Sequence, residues 1–147
     1  MSVMSPRNTR IIVIGLAAVL VLTAVYLLFV SGRSTGAEVT LEDGLKYTDI
    51  TVGTGASPRL GGSVSVNCVG TLADGKEFNN TNGRPVSFNF NDGELIRGWI
   101  EGMKTMKVGG KRRLTIPPEL AYGAGGKPPT IPPNETLTFE ISLVDVK

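Results

Sequence analysis

Hydrophobic and polar residues follow three different patterns along this chain. From Ile11 to Val30 the sequence reads IIVIGLAAVLVLTAVYLLFV, twenty residues without a charge. As a helix rising about 1.5 Å per residue, that stretch is about 30 Å long, which matches the hydrocarbon thickness of a bilayer. It is expected to be a transmembrane helix. Beyond it the pattern becomes the alternation of strands. Leu45–Val52 alternates loosely, and Val64, Val66 and Cys68 face one way with Ser63, Ser65 and Asn67 opposite. Asp74-Gly75 marks a hairpin turn before a strand at Lys76–Asn79. Val86, Phe88 and Phe90 share one strand face, Lys111–Ile116 is a further strand, and Leu137, Phe139, Ile141 and Leu143 line one side of Thr136–Val146. The third pattern is a helical stripe of Leu95, Ile96, Trp99, Ile100 and Met103, with Asn91 or Asp92 as its N-cap. Gly98 and Gly102 fall on a common face of this helix, which predicts close contact with a strand. Together these elements predict an α+β domain, an antiparallel sheet wrapped over one amphipathic helix.

Charge orients the apolar segment. Arg7 and Arg10 precede it, and Arg33 after it is followed only by Glu38, Glu42 and Asp43 before Lys46. Retained positive charge predicts a cytoplasmic N-terminus at residues 1–10, a signal anchor at 11–30, a small polar linker at 31–44, and an exported domain at 45–147. The competing reading is a cleaved signal peptide, whose apolar core is usually about 7–15 residues. Thr35-Gly36-Ala37 supplies small residues but not the Ala-x-Ala form. An uncleaved single-pass anchor is therefore expected, with a bacterial inner membrane facing the periplasm as the simplest setting. Cleavage would instead give a secreted or lumenal domain.

Composition narrows the chemistry. The chain has no His and one Cys. It therefore lacks Ser-His-Asp and Cys-His catalysis, His-ligated zinc, Cys-cluster metal sites and internal disulfides. No cofactor or metal is expected. Gly53-Thr54-Gly55 does not continue into a dinucleotide fingerprint, and the Gly-Gly-Lys triplets lack the rest of a P-loop. Lys104, Lys107, Lys111, Arg112 and Arg113 form a basic cluster, read as a solvated face rather than a nucleic-acid surface, because the exported part is close to charge balance. Cys68, on an apolar strand face, reads as a small core residue. Pro117–Pro133, rich in Pro and Gly, can be neither a helix nor a central strand. Its Leu120, Tyr122 and Ile131 predict a loop that folds back onto the domain. What remains is an aromatic and aliphatic set: Phe78, Val86, Phe88, Ile96, Trp99, Tyr122, Ile131 and Phe139.

Six segments in order carry a resemblance. They are Val69-Gly70-Thr71-Leu72-Ala73-Asp74-Gly75-Lys76-Glu77-Phe78, Leu95-Ile96-Arg97-Gly98-Trp99, Glu101-Gly102-Met103, Met106-Lys107-Val108-Gly109, Ala121-Tyr122-Gly123-Ala124 and Ile131-Pro132-Pro133. With them, Leu45 to Lys147 resembles an FKBP-type peptidyl-prolyl cis-trans isomerase. The resemblance implies a curled sheet of five to six strands around a short helix, and an apolar hollow with Trp99 as its floor. Phe78, Leu95, Ile96, Tyr122, Ile131 and Phe139 would line that hollow, with the Ile96 backbone N–H and the Tyr122 hydroxyl donating to substrate carbonyls. The implied partners are proline-containing polypeptides, and the chain is expected to act as a monomer.

Several positions depart from the family's commonest pattern. Cys68 stands where a Tyr is usual, Asn79 where an Asp is usual, Val86 where a Phe is usual, Lys127 for a frequent His and Thr130 for an aliphatic residue. These changes widen the implied hollow and remove a charge, so macrolide binding is expected to be weakened. They also motivate an alternative, a proline-binding chaperone or adaptor of the same fold with weak or no catalysis.

Overall fold

The computed structural model describes residues 36–147. The membrane helix expected at residues 11–30 lies outside the described residues, and among those described no helix is long and apolar enough to cross a membrane.

Seven strands form one antiparallel sheet: β1 Val39–Thr40, β2 Lys46–Thr51, β3 Ser63–Thr71, β4 Glu77–Asn80, β5 Val86–Asn89, β6 Lys111–Ile116 and β7 Leu137–Val146. Their order is β1-β2-β6-β7-β3-β4, and β5 pairs with β3 beside β4. β3 is long enough to hold both short partners, β4 against Val69–Thr71 and β5 against Ser63–Val66. This split edge and the two-residue β1 raise the strand number above the expected five to six. β1 falls within the stretch expected as linker. Val39 pairs with Tyr47, and the Gly36 N–H donates to the Asp49 carbonyl at 2.8 Å, so the chain from Gly36 onward is bonded into the sheet.

Alternation sets the core as expected. Val64, Val66 and Cys68 of β3 and Leu137, Phe139, Ile141 and Leu143 of β7 are all buried on one face. Among the described residues the one α-helix, α1 Arg97–Met103, packs on that face. Its glycines make the approach possible. A Cβ on Gly98 would lie 2.3 Å from the Ile116 Cγ2, and one on Gly102 would lie 2.6 Å from the Leu114 Cδ2. Both values are well inside van der Waals contact, so the helix seats backbone-first on β6.

The helix is shorter than its apolar stripe. Leu95 and Ile96 lie outside it, and Ile96, with φ −62° and ψ 146°, is the N-cap without a side-chain hydrogen bond. Neither Asn91 nor Asp92 caps it. Gly93 takes a φ of +115°, which breaks any helix running through 92–95. A turn closed by the Leu95 N–H on the Asn91 carbonyl at 3.5 Å delivers the two side chains instead. The Pro/Gly-rich segment folds back as expected and contains two short 3₁₀ turns, Pro118–Leu120 and Gly123–Gly125.

The basic cluster divides by strand parity. Lys111 and Arg113 point outward and both pair with Glu140 on β7, at 3.0 and 2.6 Å. Arg112 points inward and is 4% exposed, which corrects its reading as a solvated residue. Its Nε and Nη2 donate to the two Asp49 carboxylate oxygens at 2.7 and 2.9 Å. Nη1 donates to the Gly102 carbonyl and the Thr105 hydroxyl, each at 2.8 Å. The Tyr47 ring lies 4.1 Å below the guanidinium carbon. This one side chain ties β2, β6 and the end of α1 together.

Hydrogen bonds from Arg113 and Lys111 hold the Glu140 carboxyl below the ordinary carboxylate range. A depressed acid adds stability above its unfolded value, about 4.3 for Glu, and loses it as pH falls through the folded value. Glu140→Gln is therefore expected to lower the unfolding midpoint in urea at pH 7, with the gap to the parent chain closing below about pH 4. A gap of constant size down to acid pH would refute this.

Candidate active site

Four aromatic rings from four elements meet edge to face. Phe78 of β4 stands 5.5 Å from Phe139 of β7, Phe139 stands 5.2 Å from Trp99 of α1, and Trp99 stands 5.7 Å from Phe88 of β5. The interplanar angles of 81° to 88° set ring edges against ring faces, the arrangement favoured by the aromatic quadrupole. Trp99 and Phe139 are both 4% exposed and form the floor. Ile131, brought in by the Pro/Gly-rich loop, is also buried. Around them Phe78, Phe88, Leu95, Ile96 and Tyr122 are half-buried, each packed on the core with part of its surface open to solvent. The result is an accessible apolar surface over an aromatic floor.

Gly70 makes this stack possible. It occupies an inward position of β3, where a Cβ would lie 2.7 Å from the Phe139 ring and 2.9 Å from the Phe78 ring. Any larger residue would push the two rings apart. In the sequence Gly70 is simply part of a matched motif, and only the register of β3 against β7, with Gly70 opposite Phe139, shows what its missing side chain does. Phe88 was legible as an aromatic on a strand face, but its contact with Trp99 follows from the pairing of β5 with β3.

Few polar groups face this surface. Among the described residues the Ile96 N–H donates to no protein acceptor, because Ile96 precedes the first helical turn and the turn before it closes on Leu95. The Tyr122 hydroxyl likewise makes no side-chain hydrogen bond, and the buried indole N–H of Trp99 has no partner. Cys68 and Asn79 stand together at one side: the thiol donates to the Asn79 Oδ1 at 3.9 Å. Burial pushes the Cys68 thiol up, so it remains a neutral donor at neutral pH. Neither residue contributes a charge.

Of the residues expected to line the site, Phe78 and Trp99 each contact Phe139, while Leu95, Ile96, Tyr122 and Ile131 belong to the same core or pack against it. Val86 stands opposite the buried Val66 of β3, on the same face as Phe88, as its parity predicted. At the start of β5 its side chain is nevertheless 42% exposed, and Phe88, not Val86, reaches the aromatic stack. Two surface depressions of about 530 and 500 Å³ lie elsewhere. The first is lined by Ala56–Arg59, Val146 and Lys147, with no aromatic ring, and the second shares only Leu95 with the aromatic surface. Neither offers comparable chemistry.

The comparisons with known proteins agree with this geometry. The model of the FKBP-type peptidyl-prolyl cis-trans isomerase family matches residues 55–144, and the chain belongs to that family. It is 51% identical over 112 residues to FK506-binding protein 4 of Dictyostelium discoideum, covering 76% of this chain and 31% of that protein. It is 53% identical over 110 residues to the FKBP-type peptidyl-prolyl cis-trans isomerase FkpA of Escherichia coli strain K12, covering 74% and 40% respectively. The alignments thus span 31% to 40% of the length of these two relatives. The crystal structure of FkpA from Escherichia coli superposes with a TM-score of 0.71 at 38% identity, covering 99% of this chain and 75% of that one. A peptidyl-prolyl cis-trans isomerase from Pseudomonas syringae pv. tomato gives the same TM-score at 33% identity, with 99% of both chains covered.

Proposed function

We propose that this chain accelerates cis-trans rotation of X-Pro bonds in polypeptides, without covalent, metal or cofactor chemistry. The observation that carries the reading is the half-buried apolar rim around the Trp99 and Phe139 floor, with two donors, the Ile96 N–H and the Tyr122 hydroxyl, free of protein partners.

The barrier to X-Pro rotation comes from amide resonance, about 18–20 kcal/mol. Twisting the bond ends the resonance and reduces the charge separation of the planar amide. An apolar surface therefore solvates the twisted state better than water does, relative to the planar states. Donors fixed at the rim hold the flanking carbonyls and favour the geometry in which the intervening bond is twisted. A thousandfold acceleration requires about 4 kcal/mol of such differential binding. Uncatalysed exchange takes tens to hundreds of seconds, slow enough to limit folding.

Exchange NMR on a proline peptide with the full chain tests the reading. Cis-trans exchange should be accelerated at substoichiometric protein. Binding with exchange left at its uncatalysed rate would refute it and favour the adaptor alternative, which Cys68 and Asn79 motivate. Tyr122→Phe should lower kcat/KM roughly three- to tenfold, the effect of one neutral hydrogen bond, while leaving the urea midpoint unchanged. A midpoint that falls in step with activity would remove Tyr122 from the site.

The setting belongs to the same proposal. Residues 11–30 anchor the chain in a membrane, with the domain on the exported side, where newly translocated proteins fold. The uncharged length of that segment and the arginines before it support this. Macrolide binding is weak in this reading, because the small buried Cys68 and the exposed Val86 offer little aromatic contact.

A further inference from the structure

Lys127 lies in the Pro/Gly-rich loop and holds its ammonium 5.4 Å from the centroid of the Tyr122 ring. The backbone around it is fixed. The Lys127 N–H donates to the Ile131 carbonyl and the Ile131 N–H donates back to the Lys127 carbonyl, both at 2.9 Å. Ile131 is itself buried in the core, so this small loop is pinned to the domain at the candidate site. Gly126 permits the closure: its φ is +62°, and a Cβ there would lie 2.5 Å from the Ile131 carbonyl oxygen.

The charge of Lys127 is not neutralised within the described residues. The ion pairs there join Lys46 to Glu38, Lys104 to Glu101, Lys111 and Arg113 to Glu140, and Arg112 to Asp49. Lys127 takes part in none of them. Asn79 and Cys68, the polar pair at one side of the aromatic surface, are both uncharged. A ring face attracts an ammonium only weakly at an exposed site and leaves its donors free for a stronger partner. The Debye length is about 8 Å at physiological ionic strength, so this cation acts on groups close to Tyr122 and on little else.

Building on the isomerase reading, we propose that Lys127 is a specificity-determining residue that selects proline segments carrying an acidic side chain next to the proline. With the flanking carbonyl held at Tyr122, a Glu or Asp side chain on a neighbouring residue comes within ion-pair reach of the ammonium. A Lys in the same place is repelled.

The test compares peptides that differ only in having Glu, Gln or Lys beside the proline, placed before it in one series and after it in another. kcat/KM is measured by exchange NMR with the full chain. In at least one series the Glu peptide should exceed the Gln peptide by about two- to fivefold, and the Lys peptide should fall below it, as expected for one exposed charge pair. The Glu-to-Lys ratio should shrink toward one between about 10 mM and about 1 M salt, and Lys127→Glu should invert it. Each ratio is taken within a single protein, so a partly unfolded variant does not distort it. Equal rates for all three peptides in both series would overturn the inference while leaving the isomerase reading intact, as would a preference that survives high salt and Lys127→Glu. No acceleration of any peptide would overturn both.

Discussion

Replacing Trp99 with alanine will destabilise the domain by about 3–5 kcal/mol, the usual cost of deleting a buried Trp, and will remove isomerase activity along with it. The indole is 4% exposed and supports two rings, Phe88 at 5.7 Å and Phe139 at 5.2 Å. Its loss leaves those rings without a partner and opens a cavity beneath the substrate surface. Trp99→Phe separates packing from polarity. The indole N–H has no hydrogen-bond partner, so giving it up costs nothing in the folded state, and the remaining ring still fills most of the space. Urea denaturation of the full chain should therefore rank the parent first, Trp99→Phe next and Trp99→Ala well below. If alanine leaves the midpoint where the parent has it, Trp99 is not the floor of the site.

Removing Asp49's charge will be the second large effect. In Asp49→Asn the Arg112 guanidinium, with its side chain 5% exposed, remains buried without a counter-charge, held only by neutral groups: the amide oxygen at 49, the Gly102 carbonyl, the Thr105 hydroxyl and the Tyr47 ring. An unneutralised buried cation of this kind costs about 3 kcal/mol or more. The reverse deletion is milder. The Asp49 side chain is 29% exposed and can turn to water, and in Arg112→Met the new side chain can still lie over Tyr47. That variant should lose about 1–2 kcal/mol, for the vanished hydrogen bonds to Gly102 and Thr105. The order of the two unfolding free energies is the decisive reading. Equal losses would mean that the pair, not the stranded guanidinium, sets the cost.

The candidate site was readable in the sequence to different depths. Phe139 could be placed inward from the strict alternation of β7, because one face of that strand is buried and a slip of one residue would expose it. Gly98 and Gly102 announced a close helix-strand approach through their spacing alone, and Ile116 and Leu114 are what they meet. The helix start was misjudged because Leu95 and Ile96 continue the apolar period, whereas Gly93 with its positive φ interrupts the backbone. Val86 was placed inward by parity on a strand that proves only four residues long, at an edge where its side chain is left partly in solvent. Arg112 shows the same limit in reverse. Parity separated it from Lys111 and Arg113, but Asp49, the partner that lets a guanidinium be buried, lies far away in the chain.

By itself the sequence determined which residues are apolar, on what period they recur and which chemistries are missing. Those are local properties, and they were enough for the sheet-and-helix class, for an aromatic set rather than a His or metal centre, and for the family resemblance. The tertiary structure decided which of those residues meet. The Phe78–Phe139–Trp99–Phe88 stack joins a helix and three strands whose order in the sheet is not their order in the chain. The space left by Gly70 and the burial of Arg112 against Asp49 have the same origin. The stack and the Arg112–Asp49 pair depend on side chains far apart in sequence, brought together only when the strands pair and the helix closes over them.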